Sequence, residues 1–178
     1  MASKKADSAA WREQFARAGS YRAAFRFEPE RIKHPSAGWV AMFKQEFGMT
    51  DADFATPRSQ GDDPVVLDSR PALAPEHREA IAAIVGDDNV ADDDFSRVNY
   101  GHGKSVDENL ALRAGRVAGL PDLVVHPWDK QDVAAVVAYC AEHRIPVIPY
   151  GAGSGTVIGT RAERGGVVLV MRTHMNRI

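Results

Sequence analysis

The chain has 178 residues, a formal net charge of -2, a single cysteine and six histidines. That length allows one domain with a sizeable core, or a small domain carrying an extension. The charge balance gives no reason to expect nucleic acid, and no basic patch with interleaved aromatics is present. The longest apolar run is too short for a membrane span. No apolar segment follows the N-terminal Met1-Ala2-Ser3-Lys4-Lys5, as a signal peptide would require.

Residues 8 to 48 read as amphipathic helix. Trp11 and Phe15 lie one turn apart, and a second segment after Ser36 carries Trp39, Val40, Phe43 and Phe47. Such a stripe is expected to pack internally or against the rest of the chain; burial against another chain is the alternative. From Thr50 to Arg70, Asp, Pro, Gly and Ser predict a linker. Pro75 stands at a first helical position, and Ile81, Ile84 and Val85 form a short helix ending at Gly86. Asp87, Asp88, Asp92, Asp93 and Asp94 lack the spacing, central glycine and closing glutamate of a calcium loop, and are expected as a solvated turn. Gly103-Lys104-Ser105 imitates the end of a phosphate-binding P-loop, but Val98 stands where its first glycine should be and no apolar strand precedes it.

The densest pattern runs from Leu123 to Gly159. Asp122-Leu123-Val124-Val125-His126-Pro127 is a buried strand closed by proline. Asp129 is the expected N-cap of a helix whose first turn holds Asp132. Val133, Val136, Val137 and Cys140 form its apolar face, and His143-Arg144 complement its C-terminal dipole. Ile145-Pro146-Val147-Ile148 is the second strand of a βαβ unit with parallel pairing. The loop Pro149-Tyr150-Gly151-Ala152-Gly153-Ser154-Gly155-Thr156 follows directly. Three alternating glycines are expected to turn with positive φ and aim successive N–H groups into one concavity, an anion nest. It lies beyond the carboxyl ends of the strands, where ligands of such sheets bind. A nicotinamide-dinucleotide fingerprint is a weak match: the third glycine position is Thr156, no helix fits comfortably before Gly165-Gly166-Val167-Val168-Leu169-Val170-Met171, and no acidic ribose ligand stands about twenty residues on.

Cys140 is expected in the core, in a reducing, cytoplasmic setting. The histidines, at 34, 77, 102, 126, 143 and 174, show no metal-ligand spacing, so no metal site is expected. His102, among glycines, could reach a ligand, although a surface-loop role is the commoner one for such a residue. His174 follows the last strand.

In order and spacing, Leu120 to Pro127, the Asp129-to-Arg144 helix, Ile145 to Pro149, the Gly151-Ala152-Gly153-Ser154-Gly155 loop and Gly165 to Leu169 resemble the FAD-linked oxidases. This family includes vanillyl-alcohol oxidase, D-lactate dehydrogenase, the glycolate oxidase flavin subunit and alkyldihydroxyacetonephosphate synthase. The segment Arg97 to Ser105 with Asp107, Leu110, Leu112, Arg113 and Gly115 looks like the synthase branch; otherwise it is a surface connection with solvated Lys104 and Arg113.

The resemblance implies an α/β fold in which a mostly helical extension, residues 1–118 with a linker near 50–70, precedes residues 119–178. The latter would be the first βαβ-containing part of a vanillyl-alcohol-oxidase-type FAD-binding domain, incomplete at its C-terminus. It implies FAD as cofactor, its pyrophosphate held by Tyr150, Gly151, Ala152, Gly153, Ser154, Gly155, Thr156 and Gly159. The loop has no histidine for covalent flavin attachment. The implied reaction is oxidation of a small hydroxy acid or alcohol. Alternatives are a synthase-like flavoenzyme, which exchanges an acyl for an alkyl group, and a non-catalytic interaction module. The resemblance implies a later subdomain and a substrate cap that are not expected within residues 1–178, and His174 stands where the family more often has an acidic or small residue. No catalytic residue is therefore assigned. The chain is expected as a fragment, as a subunit completed by a second polypeptide, or as a relic, with weak or no flavin binding alone.

Overall fold

The computed structural model describes residues 19–24, 36–55 and 63–177. In chain order, the helices are α1 (Tyr21–Ala24), α2 (Ala37–Phe47), α3 (Asp51–Ala55), α4 (Pro75–Val85), α5 (Asp94–Tyr100), α6 (Val106–Arg113) and α7 (Lys130–Glu142). The strands are β1 (Val90–Ala91), β2 (Leu123–Val125), β3 (Val147–Tyr150) and β4 (Val167–Val170).

The sheet order is β1-β2-β4-β3, with β1 antiparallel to β2 and the other pairs parallel. The βαβ unit is present, but its two strands are not neighbours: β4 lies between them. Composition explains this. The four residues of β4, Val167-Val168-Leu169-Val170, are all buried and suit a central strand. β3 contains Pro149, which has no N–H to offer a second neighbour, so it belongs at an edge. It also begins two residues later than the apolar run suggested.

Side-chain alternation divides the core between the two sheet faces. Leu123, Val125, Val167 and Leu169 pack with Ile81 and Val85 of α4 and with Val136 and Cys140 of α7. Val124, Val168 and Val170 pack with Tyr100 and Tyr150 on the opposite face. Cys140 is fully buried, and burial pushes its thiol up to about 11. Val137, read as part of the apolar helix face, is exposed because a narrower stripe through Val136 and Cys140 meets the sheet.

Helix ends follow local chemistry. Pro75 opens α4, whose end is capped by the Gly86 N–H on Ala82 O. Ser105 and Glu108 make a reciprocal capping box on α6. The Asp129 carboxylate accepts from the N–H groups of Gln131 and Asp132, while Asp132 accepts from Trp128 N–H, one residue earlier than a capping box would place it. The acidic stretch is put to similar use. Asp87 and Asp92 meet Arg78, Asp93 caps α5, and Asp94 accepts from Leu67 N–H. β1, flanked by these aspartates, has no periodicity to betray it.

Trp11, Phe15 and His34 lie outside the described residues. In α2, Trp39 and Phe47 are exposed and Phe43 half-buried; the three rings meet in tilted pairs along the helix, and α2 contains no buried residue. The expected linker contains α3, and its far end is tied down by Val65 N–H to Gly19 O at 2.7 Å, with Val65 buried. No described helix is long and apolar enough to cross a membrane.

Candidate functional site

The glycine loop leaves the carboxyl end of β3 and spans residues 151–160. Gly151, Ala152, Ser154, Gly155, Thr156 and Gly159 are exposed. Among the described residues, no backbone N–H from Gly151 to Gly159 donates a hydrogen bond. A Cβ built on Gly151, Gly155 or Gly159 would meet no protein atom within 4 Å. A diphosphate needs several unengaged N–H groups and room for close backbone approach, and this loop supplies both. The residues therefore fit the phosphate end of a dinucleotide.

The conformation departs from the expectation of three positive-φ glycines. Of these three, only Gly153 is left-handed, with φ 68°, and Ile158 joins it at φ 64°. The reason for glycine differs by position. At 153 a Cβ would lie 2.0 Å from Tyr150 Oη, so the backbone rests directly on that ring. At 151, 155 and 159 the missing Cβ keeps the outer side open.

Tyr150 has its side chain turned inward. It is buried, its hydroxyl donates to Asn99 O at 3.4 Å, and its ring meets Tyr100 edge-on at 5.2 Å. Burial pushes its phenol up to about 12, although the nearby Arg172 charge acts the other way. Its place in this arrangement is beneath the loop, as support, while Ser154 and Thr156 stand on the exposed side.

The segment 101–105 is the feature that sequence reasoning weighed least well. It is no solvated connection: it clamps the loop. Lys104 N–H donates to Gly155 O at 2.7 Å, and a Cβ at Gly103 would sit 2.4 Å from that same oxygen. Glu108 secures the clamp by accepting from Gly103 N–H at 2.9 Å and Ser105 N–H at 3.1 Å. Burial alone would raise this carboxyl, but those hydrogen bonds outweigh it and hold the group below its ordinary value. His102 is buried, not a surface-loop residue, and its Nδ1 lies 2.6 Å from Val98 O, so the neutral ring donates from that nitrogen. Burial, with Lys104 nearby, pushes its pKa down to about 4. Lys104 is pushed down to about 8 by burial and by Arg172.

Arg172, which the sequence reading did not single out, follows β4. Its guanidinium lies 5.6 Å from the Tyr100 ring centroid and 5.8 Å from that of Tyr150. Its position directly after a buried strand, at the same sheet end as the loop, was the available signal. His174 serves structure: it stacks on Trp128 at 3.7 Å, and its Nε2 bonds Asn89 Oδ1 at 2.9 Å. His126 is wholly buried, with Nδ1 2.7 Å from Thr173 Oγ1.

The clamp makes a direct prediction. Gly103→Ala is expected to displace Gly155, break the Lys104–Gly155 bond and cost about 1–3 kcal/mol, as overpacking does. Hydrogen exchange at Lys104 N–H should accelerate at least about tenfold, with the β4 amides less affected.

Residues 121–178 match the FAD binding domain family. Alkyldihydroxyacetonephosphate synthase of Dictyostelium discoideum is 31% identical over 132 residues, covering 66% of this chain and 21% of the relative. Glycolate oxidase subunit GlcD of Bacillus subtilis is 28% identical over 101 residues, covering 57% and 19%. A solved alkyldihydroxyacetonephosphate synthase superposes with a TM-score of 0.58 at 31% identity, covering 62% of this chain and 22% of that one. The chain thus spans about a fifth of the length of these relatives. The exposed glycine loop at the carboxyl end of the parallel strands lies within the same residues, 121–178, that are similar to an FAD binding domain.

Proposed function

We propose that this chain supplies the diphosphate-binding end of an FAD-dependent oxidoreductase acting on a small hydroxy acid or alcohol. Residues 119–178 form the first part of the flavin domain, and residues 1–118 an extension to it. The carrying observation is the row of unengaged N–H groups from Gly151 to Gly159, in a loop exposed at each of these residues except Gly153. In this reading Gly151 to Thr156 and Gly159 surround the FAD pyrophosphate, Ser154 and Thr156 add hydroxyl donors, and Tyr150 and the 101–105 clamp fix the loop. When bound, the flavin supplies the acceptor for a substrate hydride. The chain's own residues bind and orient its phosphate end. The parts that hold the flavin ring and the substrate come from elsewhere in a longer polypeptide or from a second one, so the 178-residue chain binds FAD weakly.

One observation favours a second reading, a flavoenzyme of the synthase kind. Similarity to the synthases covers 62–66% of the chain and so reaches well upstream of residue 121, into the clamp.

Gly155→Ala tests the shared core of both readings. The added methyl meets no protein atom, so thermal stability should hold or rise by about 0.4–1 kcal/mol. FAD affinity, read by quenching of flavin fluorescence, should fall about tenfold or more because the methyl occupies the diphosphate's place. Unchanged affinity would remove the loop from the cofactor site.

A further inference from the structure

A cavity of about 320 Å³ opens at the amino end of the sheet, among the stretches around residues 69–72, 117–122 and 162–165, with Arg97 of α5 in its wall. Asp122 directly precedes β2 and Gly165-Gly166 precede β4, so the cavity lies at the opposite end of the parallel strands from the glycine loop. Long-range bonds fix its walls. The Asp122 carboxylate accepts from Ala72 N–H at 2.8 Å and from Gly166 N–H at 2.7 Å, and Ala162 N–H donates to Gly119 O at 2.7 Å.

Arg97 is only 2% exposed. Its guanidinium is held in the cavity wall by two backbone carbonyls: Nε donates to Pro121 O at 2.8 Å and Nη1 to Ser69 O at 2.7 Å. These acceptors carry no net charge. No carboxylate of the described residues pairs with Arg97. Its Nη2 has no acceptor among them either, yet is not sealed from solvent, so it opens on the cavity that Arg97 lines. A buried charge without a counter-charge is costly. Arg70 and Arg164 line the same cavity; both are exposed and neither pairs with a carboxylate of the described residues. The two carboxylates that line it are already engaged, Asp122 with its two N–H groups and Glu163 with Arg161 at 3.3 Å.

We infer that this cavity is a binding site for a small oxyanion of the phosphate class, free or as a phosphate monoester, with Arg97 as its anchor and Arg70 and Arg164 as its outer contacts. The geometry of Arg97 favours phosphate over carboxylate. With Nε and Nη1 committed, it cannot present the in-plane pair of nitrogens that a carboxylate takes best. It offers one nitrogen, and the other arginines come from separate stretches of chain. A tetrahedral ion has an oxygen for each. The inference is independent of the loop reading, because the two sites lie at opposite ends of the sheet.

The test is calorimetric titration of the 178-residue chain with inorganic phosphate and with acetate at constant ionic strength, with amide-resolved NMR to locate the ion. Wild type should bind phosphate at least about fivefold more tightly than acetate, with shifts centred on Gly119 and residues 163–166. Arg70→Gln and Arg164→Gln replace exposed side chains that pair with no carboxylate of the described residues, so both should fold as wild type. Each should weaken phosphate binding about threefold, and the double variant about tenfold. Arg97→Lys keeps the charge but cannot span Ser69 O and Pro121 O, and should weaken binding further; its thermal midpoint shows whether it is folded, and the two exposed variants carry the test if it is not. Signals at Gly119 and residues 163–166 that do not respond at about 10 mM phosphate would overturn the inference, whether or not the glycine loop responds. Acetate binding as tight as phosphate, or a double variant that binds as wild type does, would overturn it too.

Discussion

Between pH 6.5 and pH 4 the folded chain is expected to lose about 3 kcal/mol of stability through His102 alone. The imidazole is buried, and its pKa is pushed from 6.5 down to about 4. As pH falls through 6.5, the unfolded chain takes up a proton that the folded chain refuses, so the contribution is complete above 6.5 and is lost down to about 4. His102→Asn retains an amide donor for Val98 O and has nothing to titrate. Urea unfolding at pH 7, 5.5 and 4.5 should therefore show a steeper fall for wild type than for the variant, with the difference concentrated in that window. Parallel falls would show that His102 is protonated in the native state. Because His102 adjoins the clamp on Gly155, acid should also loosen the glycine loop before the sheet gives way.

Gly166→Ala should be the most damaging single methyl in the described chain. Gly166 has φ 90°, and a Cβ there would lie 2.3 Å from Pro146 O, the carbonyl that accepts Val167 N–H at 2.8 Å to begin the β3–β4 ladder. A side chain in the left-handed region costs about 1–2 kcal/mol, and forcing an atom into a packed backbone adds about 1–3 kcal/mol. A loss of about 3 kcal/mol or more is expected in denaturant unfolding. Gly48→Ala is the comparison: φ is 63° but the space around it is open, so it should cost only about 1 kcal/mol. Equal losses at the two sites would mean that the Pro146 contact is relieved by a small backbone shift.

Much of this fold could be read from the sequence because its determinants are local. Pro75, Gly86 and Asp129 mark helix ends through chemistry that needs no distant partner. The strands β2 and β4 announce themselves as short β-branched runs, since both their faces are covered. The strand order could not be read, because it depends on which run can tolerate an open edge; Pro149 in β3 held that information. β1 was hidden for a different reason. Two residues carry no period, and Val90–Ala91 is a strand only because β2 offers it an edge.

At the candidate site, the glycine loop was legible and its support was not. Gly151, Gly153 and Gly155 look equivalent in sequence, yet one rests on an aromatic ring and the others face open space. In sequence, a solvated Lys104 in a surface connection is as good a reading as the synthase-like one. The neighbouring glycines are there to bring its backbone against Gly155, and Gly103 leaves no room for a Cβ between them. Tertiary contact, not composition, decides the environment of such a residue.

We propose that the backbone of residues 151–159 receives the FAD diphosphate. Amide-resolved NMR of the 178-residue chain titrated with FAD tests it most directly. The N–H signals of Gly151 to Gly159 should move together, saturably, with smaller shifts at Lys104 and little change in α4 and α7. Shifts centred elsewhere, or a loop whose amides do not respond at millimolar FAD, would contradict it.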